Sequence, residues 1–147
     1  MNYSEAFSEL RKSASEEEVA LLTNTVGGLP SSYLEFLRRT DGADGALAQP
    51  EGVAVRLYSV HESLESNRGY RIQDSLPELW LIGDDSGDYG FCFDRSGSPL
   101  PDSWPIVEVP LGSLFADELF VVASSFSDWQ ECSFAVRHGS SVPPPAT

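Results

Sequence analysis

The apolar residues of this chain change spacing partway along it, and that change limits the folds open to it. Up to Arg39 they recur at helical intervals. Val19, Leu22 and Val26 fall at i, i+3 and i+7, and Tyr33, Phe36 and Leu37 at i, i+3 and i+4. From Val53 onward the spacing is two: Val53, Val55 and Leu57 share one face of "VAVRLYSV", which predicts a strand with its other face solvated. Short apolar runs follow, "LWLIG", "GFCFD", "PIVEV" and "ELFVVA", and each reads as a strand. Helices, then strands, then one last helix, without a repeating βαβ rhythm, predict an α+β fold. Its parts are an N-terminal helical hairpin, a mainly antiparallel β-sheet packed with it, and a C-terminal helix.

Local signals sharpen these boundaries. "SEAFSEL" reads as a short first helix with Phe7 and Leu10 on one side. Ser15 with Glu18 forms a capping box for the next helix. "GGLP" breaks that helix, and Pro30 suits the first turn of the one after it. Arg38 and Arg39 fill its last turn, and Asp41-Gly42 supplies the stop. Residues 43–52 read as a loop or loose edge. Ser59 with Glu62 repeats the capping box and starts a helix that stops at Gly69. "SSFSDWQECSFAV" predicts the final helix, capped by Ser124 or Ser125, with Phe126, Trp129 and Cys132 inward. Residues 1–138 thus form one domain. The proline run in 139–147 favours extended, solvated backbone, so these residues read as a mobile tail.

Residues 82–90, "IGDDSGDYG", are the most suggestive stretch for chemistry. Asp84, Ser86 and Asp88 alternate like the start of a calcium loop. Such a loop needs glycine at its sixth position and glutamate at its twelfth, where this chain has Tyr89 and Arg95, so the register fails. Asp84 and Asp85 are adjacent and point apart on extended backbone, and nothing close in sequence buries one of them as acid–base work requires. A hairpin loop remains, with glycines supplying positive φ and aspartates capping the turn. His61 and His138 belong to no zinc motif, and neither cysteine has a histidine near it. No phosphate-cradling glycine motif and no G-x-S-x-G is present. The reading is therefore an absence of catalytic residues, metal and cofactor.

The charge balance is one-sided, and its plainest use is to keep the protein soluble. The 147 residues include 23 Asp+Glu and 9 Lys+Arg, a formal net charge of −14. Such a field repels nucleic acid and anionic membrane surfaces and attracts basic proteins. Cys92 and Cys132 lie in apolar settings outside any C-x-x-C, which predicts buried, reduced thiols in a cytoplasmic protein. The N-terminus shows no signal-peptide pattern, and no apolar run reaches the length of a membrane span. The aromatics at helical spacing read as core. Trp104, in "PDSWPI" between turn residues, is the candidate for a partly exposed aromatic anchor.

Several of these stretches resemble one family in combination. "EEEVALLTNTVGGLPSSYLEFLRRTDG" carries an acidic helix, Gly28, Leu29-Pro30, an aromatic-rich helix with Tyr33 and Phe36-Leu37, and Asp41-Gly42. "LPELWLIGDDSGDYGFCFD" is similar to a strand, an acidic glycine loop and a strand. "VASSFSDW" is similar to a last strand and a helix opening with Ser125-Phe126. Together, over about residues 15–136, these resemble the SUKH superfamily, whose domain is shared with the fungal cell-wall assembly regulator. The resemblance implies a non-enzymatic α+β domain, with immunity proteins that neutralise toxins, often nucleases, among its bacterial members. On this reading the chain is an immunity protein. It binds a basic partner, such as a toxin domain, through Asp84, Asp85 and Asp88, with Trp104 as an anchor. A regulatory scaffold with a non-toxin partner is the alternative, and a metal-binding hydrolase is a third.

Overall fold

Both capping boxes form as the spacing requires. Ser15 Oγ accepts from the Glu18 amide at 3.1 Å and Glu18 Oε1 accepts from the Ser15 amide at 2.9 Å. Ser59 and Glu62 do the same at 3.0 and 2.9 Å. Each satisfies donors that a helix start otherwise leaves orphaned. The computed structural model describes residues 1–49 and 53–136. The helices are α1 (Tyr3–Ala6), α2 (Glu16–Val26), α3 (Ser31–Arg39), α4 (Val60–Gly69), α5 (Ile72–Ser75) and α6 (Phe126–Glu131). The strands are β1 (Phe7–Leu10), β2 (Ala43–Ala46), β3 (Arg56–Leu57), β4 (Leu79–Asp84), β5 (Tyr89–Asp94), β6 (Ile106–Pro110) and β7 (Phe120–Ala123).

The seven strands lie in one sheet in chain order, β1 to β7, and every neighbouring pair is antiparallel. The fold is α+β with a C-terminal helix. On one face Leu22, Tyr33, Phe36, Phe126 and Trp129 of the helices meet Ile82, Phe91, Phe93 and Ile106 of the strands. Aromatic edges meet faces throughout this layer. Tyr33 and Phe126 centroids are 5.2 Å apart, and those of Trp129 and Phe134 5.3 Å. Such pairs contribute about 1 kcal/mol each beyond simple burial.

Within "VAVRLYSV" only Arg56–Leu57 form a strand, with Ala54 exposed and Arg56 half-buried, but the other face of the sheet is covered elsewhere. Leu81, Cys92, Val107 and Val109 pack there beneath Ile72 of α5 and Leu76 just after it, and beneath Leu111, Leu114 and Leu119 of the β6–β7 connection. Tyr58 is buried on this face as well.

Four further expectations need correction. Phe7 to Leu10 form a strand, not the end of a helix, because only Phe7 is buried and no helical face exists to bury Leu10. Residues 43–46, expected in a loop or loose edge, form β2 inside the sheet, and Ala43 pairs with both Leu10 and Leu57. The last helix stops at Glu131. Ser133 and Phe134 then take left-handed φ of 53° and 61°, which turns Phe134 fully into the core. Cys132 is consequently exposed, whereas Cys92 is buried and its thiol is pushed up by that burial. The boundary at 138, His138, the proline-rich segment and residues 50–52 lie outside the described residues.

Candidate protein-binding surface

The loop 82–90 is the β4–β5 hairpin, but its three aspartates do different things. Asp84 closes β4 and is 6% exposed. Its Oδ2 accepts from the Arg56 guanidinium at 2.9 Å and from the Tyr58 hydroxyl at 2.6 Å, and its Oδ1 accepts from the Ser86 amide at 2.9 Å. Arg56 also lies over the Tyr58 ring, 5.4 Å from its centroid. The bond from Asp84 raises the Arg56 pKa. Burial, then the Asp84 carboxylate, push the Tyr58 hydroxyl up, so it stays a neutral donor. This charge cluster ties β3 to β4 through a buried carboxylate and a half-exposed guanidinium, whose Nε makes no bond of its own among the described residues.

Asp85 is half-buried and builds the turn. Its Oδ1 accepts from the Gly87 amide at 2.9 Å and the Tyr89 amide at 3.1 Å. Asp88 is exposed. The left-handed residue of the turn is Ser86, at φ 63°, and not a glycine. Gly83 and Gly90 serve close approach instead. A Cβ on Gly83 would collide with the Arg56 carbonyl oxygen, and one on Gly90 would lie 2.6 Å from Leu81 Cδ1.

Trp104 does not present an exposed anchor. It is 4% exposed, its indole N–H donates to the Ser98 carbonyl at 2.9 Å, and its ring lies 6.0 Å from that of Phe93. It sits just before β6, beside the β5 end that carries Asp94, whereas the aspartates sit at the other end of the hairpin. Six residues of strand separate the two ends, about 17 Å. The neighbouring Asp102 has a structural use: its Oδ1 accepts from the Ser31 amide at 2.7 Å and the Ser31 hydroxyl at 3.0 Å. Pro30 at the start of α3 has no side chain to cap it, so Asp102 supplies the cap from across the fold. Asp102→Ala is expected to cost about 1 kcal/mol, read as a lowered urea midpoint with unchanged slope.

Sequence reasoning missed Arg56, Tyr58 and Glu108. The alternation of "VAVRLYSV" does put Arg56 and Tyr58 on one face, but only the β3–β4 register, Arg56 opposite Asp84, brings them to the carboxylate. Glu108 lies opposite Phe91 on β6 and is 2% exposed. Burial, then the charge of Asp85, raise its pKa to about 7. A carboxyl whose folded pKa lies above its unfolded value contributes its full stability below about 4.5 and loses it as pH rises through about 7. The loss amounts to at most about 3 kcal/mol. Glu108→Gln is therefore expected to flatten the decline in unfolding free energy between pH 5 and 8. An unchanged profile would contradict this.

The surface charge follows from how the arginines are used. Arg11 pairs with Asp44 and Glu62, Arg38 with Glu16, Arg39 with Glu35, and Arg71 with Asp74. Arg95 donates to the carbonyl oxygens of Val26, Pro77 and Glu78. Exposed Glu5, Glu9, Glu17, Asp88, Asp117 and Glu118 make no ion pair among the described residues. In the same residues no cluster of His, Cys, Asp and Glu has metal-binding geometry, and no helix is long and apolar enough to cross a membrane.

A search of curated proteins finds no match. The model of the SMI1 / KNR4 family (SUKH-1) matches residues 13–131, a span that runs from the cap of α2 to the end of α6. The chain belongs to the SMI1 / KNR4 family (SUKH-1).

Proposed function

We propose that this chain is a non-enzymatic protein-binding domain of immunity type, acting in the cytoplasm, which neutralises a cognate toxin by offering an acidic surface to a basic cleft. The SUKH domain occurs in immunity-type and cell-wall-regulator-like proteins and is generally non-catalytic. The observation that carries the reading is that most arginines are already paired within the chain. Most are held by carboxylates or carbonyls of the chain itself, so the net charge of −14 is expressed as exposed, unpaired carboxylates. A nuclease is a fitting target, because its nucleic-acid cleft is basic and carboxylates can occupy the phosphate positions.

The test is capture of the product of the neighbouring gene by the purified chain at low and high salt. Tight capture that weakens at least tenfold with salt, together with loss of the captured protein's toxicity, supports the proposal. Capture of a partner without toxic activity would replace it with the regulatory scaffold.

A further inference from the structure

The β6–β7 connection, residues 111–119, does more than cover the second sheet face. Between it and the turn from α5 into β4 lies an open groove of about 270 Å³. Leu76, Pro77 and Leu79 line it from one side, and Ala116 and Leu119 from the other. Phe115, next to Ala116, is 58% exposed. Glu78 and Asp94 also line the groove, while exposed Asp117 and Glu118 lie between its two apolar residues on the connection. None of these four carboxylates makes an ion pair among the described residues. Arg95, beside the groove, gives its nitrogens to the backbone carbonyls of Val26, Pro77 and Glu78. The groove is thus apolar within and negative at its edge. It is smaller than the ~300 Å³ at which drug-sized ligand sites begin.

We propose that this groove docks a segment of a partner protein that carries one bulky apolar side chain flanked by lysines or arginines. The apolar side chain fills the space beside Leu76, Leu79 and Leu119, and the flanking cations meet Glu78, Asp94, Asp117 and Glu118. Aromatic and aliphatic anchors seated in a pocket supply most of the affinity at protein interfaces, and the charged rim sets partner choice and encounter rate. The proposal rests on the protein-binding reading above and names where on the chain that binding is centred. It places the contact on the second sheet face and not at the β4–β5 hairpin.

The test is an NMR titration of the isotope-labelled full chain with a short synthetic peptide holding one Phe between two Lys-Lys pairs. Shifts confined to Leu76, Leu79, Ala116 and Leu119 are expected. Ala116→Trp, which fills the groove, should weaken binding at least about tenfold. A peptide with glutamates in place of lysines should leave the spectrum unchanged. Absence of shifts at these residues, or equal binding by Ala116→Trp, overturns the proposal. So does a set of groove shifts that tracks chain concentration without peptide, since a second copy would then be the occupant. Ala116→Trp that keeps full, salt-sensitive capture of the toxin removes the groove while leaving the functional reading in place. Absence of any capture by the unaltered chain removes that reading instead.

Discussion

Replacing Asp84 with alanine is expected to destabilise the fold by about 3 kcal/mol, although the residue sits in a surface hairpin. Its carboxylate accepts from Arg56, Tyr58 and the Ser86 amide. Removing one partner of a buried ion pair costs about 3–5 kcal/mol, because the other is left uncompensated. The lower end applies here: the Arg56 side chain is 41% exposed and can turn toward water. Tyr58, 1% exposed, cannot, and the loss of its acceptor accounts for about 1–2 kcal/mol of that total. Asp84→Asn keeps an acceptor for Tyr58 and should cost less than Asp84→Ala. Asp88→Asn should be neutral within about 0.5 kcal/mol, as exposed positions usually are. Denaturant unfolding of the three variants gives the comparison. Equal stability of Asp84→Ala and Asp88→Asn would contradict the assigned division of labour.

The second large effect is expected at Asn67. β3 pairs with β4 only as far as Gly83, and Tyr58 adds one more bond, to the Ile82 carbonyl at 2.9 Å. Beyond that point β4 has no strand on this side, and α4 takes over. Asn67 Oδ1 accepts from the Leu81 amide at 2.9 Å, and its Nδ2 donates to the Leu81 carbonyl at 2.9 Å. One side chain therefore replaces the two backbone groups of a missing strand residue. Ser63 adds a bond to the same carbonyl, and Gln73 donates to Asn67 and to the Leu79 carbonyl. Asn67→Ala orphans a buried N–H and opens a hole, with an expected cost of about 3 kcal/mol. That corresponds to a fall in Tm of roughly 6–12 °C for a chain of this size. Asn67→Asp should be no better, since a carboxylate would face the carbonyls of Ser63 and Leu81. Faster hydrogen exchange at the Leu81 amide would locate the damage.

These two residues also show where sequence reasoning reaches and where it stops. The helical hairpin was legible because its determinants are local. Ser15 and Glu18 lie one turn apart, and Tyr33, Phe36 and Leu37 share a face through helical spacing alone. The hairpin 82–90 was legible for the same reason: turn residues stand between two apolar runs. β1 and β2 were not, because a short strand with one buried residue in four carries no period. The burial of Asp84 was not, because its partners lie 26 and 28 residues away and meet it only through sheet register. Trp104 failed as an exposed anchor for a related reason. Turn residues on either side signal a loop, but they cannot show that the loop folds back over Phe93 and the start of α3.

The separation of structural from exposed acids decides how the binding proposal is to be tested. Neutralising the whole hairpin would remove Asp84 with the rest and confuse unfolding with loss of binding. A variant with Asp117 changed to asparagine and Glu118 to glutamine leaves the Arg56–Tyr58–Asp84 cluster intact. Its affinity for the neighbouring gene product, measured by calorimetry at two salt concentrations beside the unaltered chain, addresses the central claim directly. The account predicts an unchanged Tm, at least about tenfold weaker binding at low salt and a shallower dependence on salt. Equal affinity and equal salt dependence in the two proteins would contradict it.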